Sequence, residues 1–158
     1  MMNANNQDRK ILVSACLYGE CTRYDGKCKP INDDLFKFWK KSGVLIPVCP
    51  EVLGGLSTPR PPSEIRGDRV INSENRDVTE NYIQGARLAL EVAQKNNVLF
   101  AIFKDNSPSC GSTHIYDGSF RNRKISGKGI CVRLLSENGI VVLTENDMEK
   151  AKLLFNEK

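Results

Sequence analysis

The stretch Leu99-Phe100-Ala101-Ile102-Phe103-Lys104-Asp105-Asn106-Ser107-Pro108-Ser109-Cys110-Gly111-Ser112 decides how this chain folds. Its first five residues are apolar with no polar alternation, the mark of a short strand covered on both faces, as in parallel sheets. The nine that follow cannot continue any regular element. Pro108 disfavours the helical conformation for Ser107, and Gly111 permits a left-handed or tight turn just past the thiol. The segment therefore reads as a buried strand that delivers a loop of hydroxyls and one thiol to its carboxyl end, the edge where open α/β sheets build their ligand sites.

Working outward, the same pattern recurs. Residues 11–16, Ile-Leu-Val-Ser-Ala-Cys, form a second buried strand ending at Cys16, and Val44-Leu45-Ile46-Pro47-Val48 forms a third that stops at Cys49. Ile140 to Leu143 supplies a fourth. Between them the spacing predicts helices: a short one on Leu35, Phe36, Phe38 and Trp39, closed by Ser42-Gly43, and a long one opened by Asp77-Val78-Thr79-Glu80 at capping-box spacing. The long helix keeps Val78, Tyr82, Ala86, Leu90 and Ala93 on one face. A further helix runs from Ile130 to Leu135 before Asn138-Gly139, and a last one carries Met148, Ala151, Leu154 and Phe155. Two stretches read as loops: the Pro- and Gly-rich segment from Cys49 to Asn75, and a mobile basic stretch from Arg121 to Lys128. Strands alternating with helices imply an α/β fold: a single three-layer domain over residues 10–158, with a mostly parallel sheet of about four or more strands flanked by helices, behind a polar tail at 1–9.

Composition narrows the function classes. With 158 residues, 40% of them hydrophobic, the chain can bury one substantial core. No apolar run approaches the roughly 20 residues that span a bilayer, and the polar start lacks a secretory apolar core, so a cytoplasmic protein is expected. In that compartment the six cysteines call for ligation, catalysis or burial rather than a disulfide framework. A single histidine, His114, excludes His-rich zinc sites and turns the search for a general base toward carboxylates. The net charge of +4 suits a phosphate-bearing small molecule and falls short of a nucleic-acid-binding stripe.

Cys16, Cys49 and Cys110 each follow a predicted buried strand. With neighbouring parallel strands about 4.8 Å apart, three such thiols can reach one metal or cluster without any Cys-x-x-Cys pair. Soft thiolates favour zinc or an iron–sulfur cluster, and three ligands without a fourth leave a position open for substrate or water. Cys131, among Ile130, Val132 and Leu134, reads as a small buried apolar residue. Cys21 and Cys28, in a polar loop, fit incidental exposure or a weak zinc site.

Several linked motifs then resemble one family, the thiouracil desulfidases. They are Val13-Ser14-Ala15-Cys16-Leu17, Arg23-Tyr24-Asp25-Gly26, the run 48–56 from Val48-Cys49-Pro50-Glu51 to Leu56, Thr58-Pro59-Arg60-Pro61-Pro62, Asp77-Val78-Thr79 and Ser107-Pro108-Ser109-Cys110-Gly111. The resemblance runs from about Lys10 to Thr144. It implies a 4Fe-4S cluster on Cys16, Cys49 and Cys110 whose fourth iron, without a protein ligand, takes the sulfur of 4-thiouracil or its nucleotide. Water would then replace that sulfur, releasing sulfide. Glu51, two residues after a ligand, is the expected base, and Ser107 the expected orienting group or proton donor. Arg23 and Arg60 are candidates for a substrate phosphate. Ser109 joins them as a substrate contact, although it equally suits backbone hydrogen bonds that support the loop. On this reading the protein acts as a monomer on a small molecule, with neither membrane nor stable nucleic-acid partner. The rivals are a sulfur-transfer enzyme of tRNA thiolation, and a small zinc-binding structural module on Cys16, Cys21, Cys28 and Cys49.

Overall fold

Four short, mostly apolar runs form the central sheet, because none has a polar face to leave in water. A computed structural model describes residues 8–157; most of the polar tail expected at 1–9 lies outside the described residues. The elements in chain order are β1 (Ile11–Ser14), α1 (Ala15–Tyr18), α2 (Asp34–Lys41), β2 (Leu45–Val48), α3 (Pro50–Leu53), β3 (Ser63–Arg66), β4 (Arg69–Asn72), α4 (Thr79–Lys95), β5 (Ala101–Phe103), β6 (His114–Tyr116), β7 (Lys124–Ser126), α5 (Ile130–Glu137), β8 (Val142–Thr144) and α6 (Met148–Glu157). The main sheet has the order β2-β1-β5-β8, with every pairing parallel. The expected α/β fold is present.

Alternate residues of each strand feed two cores. Ile11, Val13, Phe100 and Ile102 pack with Phe36 and Trp39 of α2 and Phe155 of α6 on one face, while Leu12, Ala101 and Phe103 pack with Ala86 and Ala89 of α4 and Leu135 of α5 on the other. Helices thus cover both faces in three layers. Arg9, just before β1, lays its guanidinium 4.8 Å from the centre of the Phe155 ring. Cys131 is fully buried in the second core, as its apolar neighbours implied. Among the described residues no helix is long and apolar enough to cross a membrane.

Local chemistry departs from the sequence reading at four places. Cys16 does not end a strand: β1 stops at Ser14, and Cys16 lies in the single turn of α1, whose carboxyl end is the left-handed Gly19. The segment from Cys49 to Asn75 is not one loop. It contains the helical turn α3, started by Pro50, and the antiparallel hairpin β3–β4, turned by Gly67 at φ 60°. The basic stretch is likewise ordered, since β7 returns along β6 in register Ile115↔Ile125. Its exposure hid it, because a strand with no buried face shows no apolar pattern. Finally, the capping box at Asp77 does not form. The Asp77 carboxylate instead accepts the Thr79 N–H at 2.9 Å and its hydroxyl at 2.5 Å, and the Thr79 hydroxyl accepts the Val70 N–H at 2.8 Å, tying α4 to the hairpin.

Helix α3 is pressed onto α4 through two glycines. A Cβ at Gly85 would stand 1.8 Å from the Pro50 carbonyl oxygen, and one at Gly54 would stand 1.9 Å from that of Asn81. No side chain fits at either position without moving a helix. The contact is sealed by the Asn81 amide donating to the Gly54 carbonyl at 2.9 Å. Replacing Gly85 by Ala is therefore expected to destabilise the fold by about 1–3 kcal/mol, as overpacking does, despite alanine's higher helix propensity. Denaturant unfolding of the variant against the parent measures the shift; equal or greater stability would show that α3 is not held this way.

Candidate active site

Parallel pairing sets Ser14 level with Val48, and Val13 level with Ile102, so the chain leaves β1, β2 and β5 at one common edge. A cavity of about 530 Å³ opens there. Cys16, Cys49 and Cys110 all line it, together with Glu51, Arg60, Lys104 and Ser107. Cys16 and Cys110 are 8% and 6% exposed, and Cys49 is half-buried. Burial, with the neighbouring Cys49 thiol, pushes Cys16 up to about 11 against the partly offsetting charges of Arg23 and Lys104. Burial and then the Cys131, Cys49 and Cys16 thiols raise Cys110 as well, while a hydrogen bond from Ser14 opposes the rise. The three thiols are close enough to sense one another.

The three thiols are not gathered around a single-ion position. On one tetrahedral zinc, with Zn–S near 2.3 Å, thiolates stand only about 3.8 Å apart. Among the described residues no three His, Cys, Asp or Glu side chains are arranged to hold a single metal ion. The zinc module on Cys16, Cys21, Cys28 and Cys49 is therefore not assembled. Cys21 and Cys28 do not line the cavity and face one another at the surface, with Sγ atoms 2.7 Å apart.

The loop after β5 separates its two serines. The Ser107 Oγ accepts the N–H groups of Ser109 and Cys110, both at 3.1 Å, so its own proton points away from the loop; the residue lines the cavity. Ser109 is 1% exposed and stands behind the wall, its carbonyl accepting the N–H groups of Cys131 and Val132 at the start of α5. It supports the loop through its carbonyl and does not line the cavity. Gly111 serves by close approach rather than by a left-handed turn: a Cβ there would stand 2.6 Å from the His114 carbonyl oxygen and 2.7 Å from that of Ser107. Asp105 closes the loop by accepting the N–H groups of Ser112, Thr113 and His114 and the Thr113 hydroxyl.

Glu51 and Arg60 form one unit. Glu51, 9% exposed in the first turn of α3, receives Nε of Arg60 on Oε2 at 2.6 Å, and Nη2 of the same guanidinium pairs with that oxygen. The remaining Arg60 donors are also used: Nη1 on the Ser57 carbonyl and the Thr58 hydroxyl, each at 3.1 Å, and Nη2 on the Thr22 carbonyl at 2.9 Å. A guanidinium has five N–H groups, and this set employs them all. Arg60 therefore positions Glu51, and its donors are engaged within the protein while the residue lines the cavity. Arg23 lines the cavity with only a loose 3.7 Å contact to Asp25. His114 is exposed and lies off the cavity.

Several wall residues carried no functional signal in the sequence. Tyr82, read only as a helix-face residue, directs its buried hydroxyl to Ser63 and Glu51; burial and then the Glu51 charge hold its pKa well up. Ser14 Oγ accepts the Lys104 N–H at 2.9 Å, and Lys104 Nζ reaches Glu145 at 2.7 Å. Glu64, buried on β3, accepts the N–H groups of Gly118 and Phe120, pinning the β6–β7 connection over the cavity. A Gly67-Asp68 pair between two short runs was the available hint of the β3–β4 hairpin.

A parallel three-layer fold with three thiols and a carboxylate–arginine pair around a cavity at one sheet edge defines an α/β protein with a thiol-lined ligand site. The chain belongs to the 2-thiouracil desulfurase family, whose sequence model matches residues 11–147. It is 40% identical over 148 residues to the uncharacterized protein YbbK of Bacillus subtilis (strain 168), covering 87% of this chain and 97% of that one. Its fold superposes on the 4Fe-4S-dependent thiouracil desulfidase TudS with a TM-score of 0.93 and 40% identity, over 95% of this chain and 99% of TudS.

The raised pKa gives a direct check on the pocket. From an ordinary 9.0 to about 11, Cys16 in cluster-free protein holds about a hundredfold less thiolate at pH 8, and its alkylation rate is expected to climb about tenfold per pH unit up to its pKa. Peptide mapping after timed iodoacetamide treatment reads this out. Labelling of Cys16 as fast as that of the exposed Cys21 would contradict the burial.

Proposed function

We propose that this protein is a thiopyrimidine desulfidase holding a 4Fe-4S cluster on Cys16, Cys49 and Cys110, with one iron free of protein ligands. It exchanges the thiocarbonyl sulfur of 4-thiouracil or 4-thiouridine monophosphate for a water oxygen and releases sulfide. The observation that carries the reading is the convergence of three strand-end thiols on a cavity that also holds Glu51 and Ser107. The donor set fits the group: three soft thiols line one open volume. When bound, the cluster would supply a soft Lewis-acid position suited to a thiocarbonyl sulfur.

The remaining work falls to this chain's own side chains. Arg60 holds Oε2 of Glu51, fixing the carboxylate at the cavity wall where it can take a proton from water. The Ser107 hydroxyl, with its lone pairs on the Ser109 and Cys110 amides, is left to donate to the substrate. Arg23, and Lys124 from β7, put positive charge at the rim for a nucleotide phosphate. The same reading makes the protein a cytoplasmic monomer acting on a small molecule, with no stable nucleic-acid complex. The mild charge supports that choice over tRNA thiolation.

Anaerobically reconstituted protein is expected to be brown and to release sulfide from 4-thiouracil or its nucleotide; an intact cluster with no sulfide from any thiopyrimidine would favour sulfur transfer. Glu51→Ala is expected to lower kcat by about 10²–10⁴-fold with iron content unchanged. Arg60→Lys, which breaks the double contact, should cost about 10–100-fold through misplacement of Glu51. Full activity in the first variant removes Glu51 as the base; full activity in the second removes Arg60 as its holder. Cys110→Ser is expected to lose most of the iron, measured colorimetrically per chain, and undiminished iron would refute its role as a ligand.

A further inference from the structure

Cys21 and Cys28 belong to no site described so far, yet the backbone brings them together without help from their side chains. Between them the chain makes a tight turn. The Gly26 N–H donates to the Arg23 carbonyl at 2.9 Å, the Arg23 N–H to the Lys27 carbonyl at 3.3 Å, and the Lys27 N–H to Asp25 Oδ1 at 3.0 Å. Gly26 sits at φ 75°, which favours glycine. The two Sγ atoms end 2.7 Å apart, Cys21 exposed and Cys28 half-buried. Small-molecule oxidants can reach the exposed Cys21, whereas Cys131, Cys16 and Cys110 are buried.

The arm they bracket reaches the cavity. The Thr22 carbonyl accepts Nη2 of Arg60 at 2.9 Å, the Tyr24 carbonyl accepts the Arg60 backbone N–H at 2.8 Å, and Arg23 lines the wall.

We propose that Cys21 and Cys28 are a redox-active dithiol that small-molecule disulfides convert reversibly to an intramolecular disulfide, locking the Thr22–Tyr24 arm onto Arg60. One cysteine thiolate attacks the external disulfide and displaces a first thiol; the second cysteine attacks the mixed disulfide and displaces another. The protein loses two electrons and two protons, and the external disulfide is reduced to two thiols. The claim goes beyond the desulfidase reading and does not depend on it.

The test uses anaerobically purified full-length protein incubated with oxidised glutathione, then alkylated and peptide-mapped, with iron measured before and after. The expected product has lost two hydrogens, carries a Cys21–Cys28 linkage reversed by dithiothreitol, and keeps its iron. Cys28→Ser should instead stop at a stable glutathione adduct on Cys21. Deuterium uptake across residues 20–29 should slow by about threefold or more on oxidation. Wild-type protein that stops at the glutathione adduct, or that links a cavity cysteine with loss of iron, overturns the pairing. A Cys21–Cys28 linkage that leaves deuterium uptake unchanged overturns the lock.

Discussion

The constraint on which the rest depends is that all four strands of the central sheet run the same way. In a parallel sheet every strand delivers its next residues to one edge, and adjacent strands are only about 4.8 Å apart. With Ser14 level with Val48 and Val13 level with Ile102, the residues that follow β1, β2 and β5 have to share a small volume, however far apart they are in sequence. Cys16, Cys49 and the Ser107–Gly111 loop occupy it. An antiparallel partner anywhere in this set would have sent one of the three thiols to the opposite end of the molecule.

The polar groups at that edge are positioned by committed partners. The two-glycine contact brings α3 against α4, which places Glu51 beside the buried Tyr82. Arg60 arrives from the Pro-rich segment and spends its guanidinium on Glu51, the Ser57 and Thr22 carbonyls and Thr58. A carboxylate held this way keeps one orientation as the cavity fills, which is what proton abstraction from a bound water needs. On the other side, the hydroxyl of Ser107 is oriented by two backbone amides, so its proton has a single useful direction.

What was legible in the sequence follows from what each signal depends on. Buried strands and amphipathic helices announce themselves because every residue of the pattern faces the same solvent or the same core, and Ile11–Ser14, Ala101–Phe103 and Thr79–Lys95 were found that way. The clustering of three strand-end cysteines followed from topology alone. The hairpins β3–β4 and β6–β7 were missed because their strands are short and largely polar, and Lys124–Ser126 buries nothing. The pairing of Arg60 with Glu51 was not legible because an arginine's contacts are set by partners distant in sequence, such as Thr22. Ser107 and Ser109 differ only in which side of one loop they face, a property that no local pattern records.

The central claim is that this edge carries out exchange of sulfur for water oxygen on a thiopyrimidine. Its most direct test is turnover of 4-thiouracil by cluster-loaded protein in ¹⁸O-labelled water, with uracil analysed by mass spectrometry and sulfide quantified in the same vessel. The account predicts uracil carrying one labelled oxygen and an equimolar amount of free sulfide. Unlabelled uracil, or sulfur retained on the protein or passed to an acceptor instead of appearing as sulfide, would contradict it.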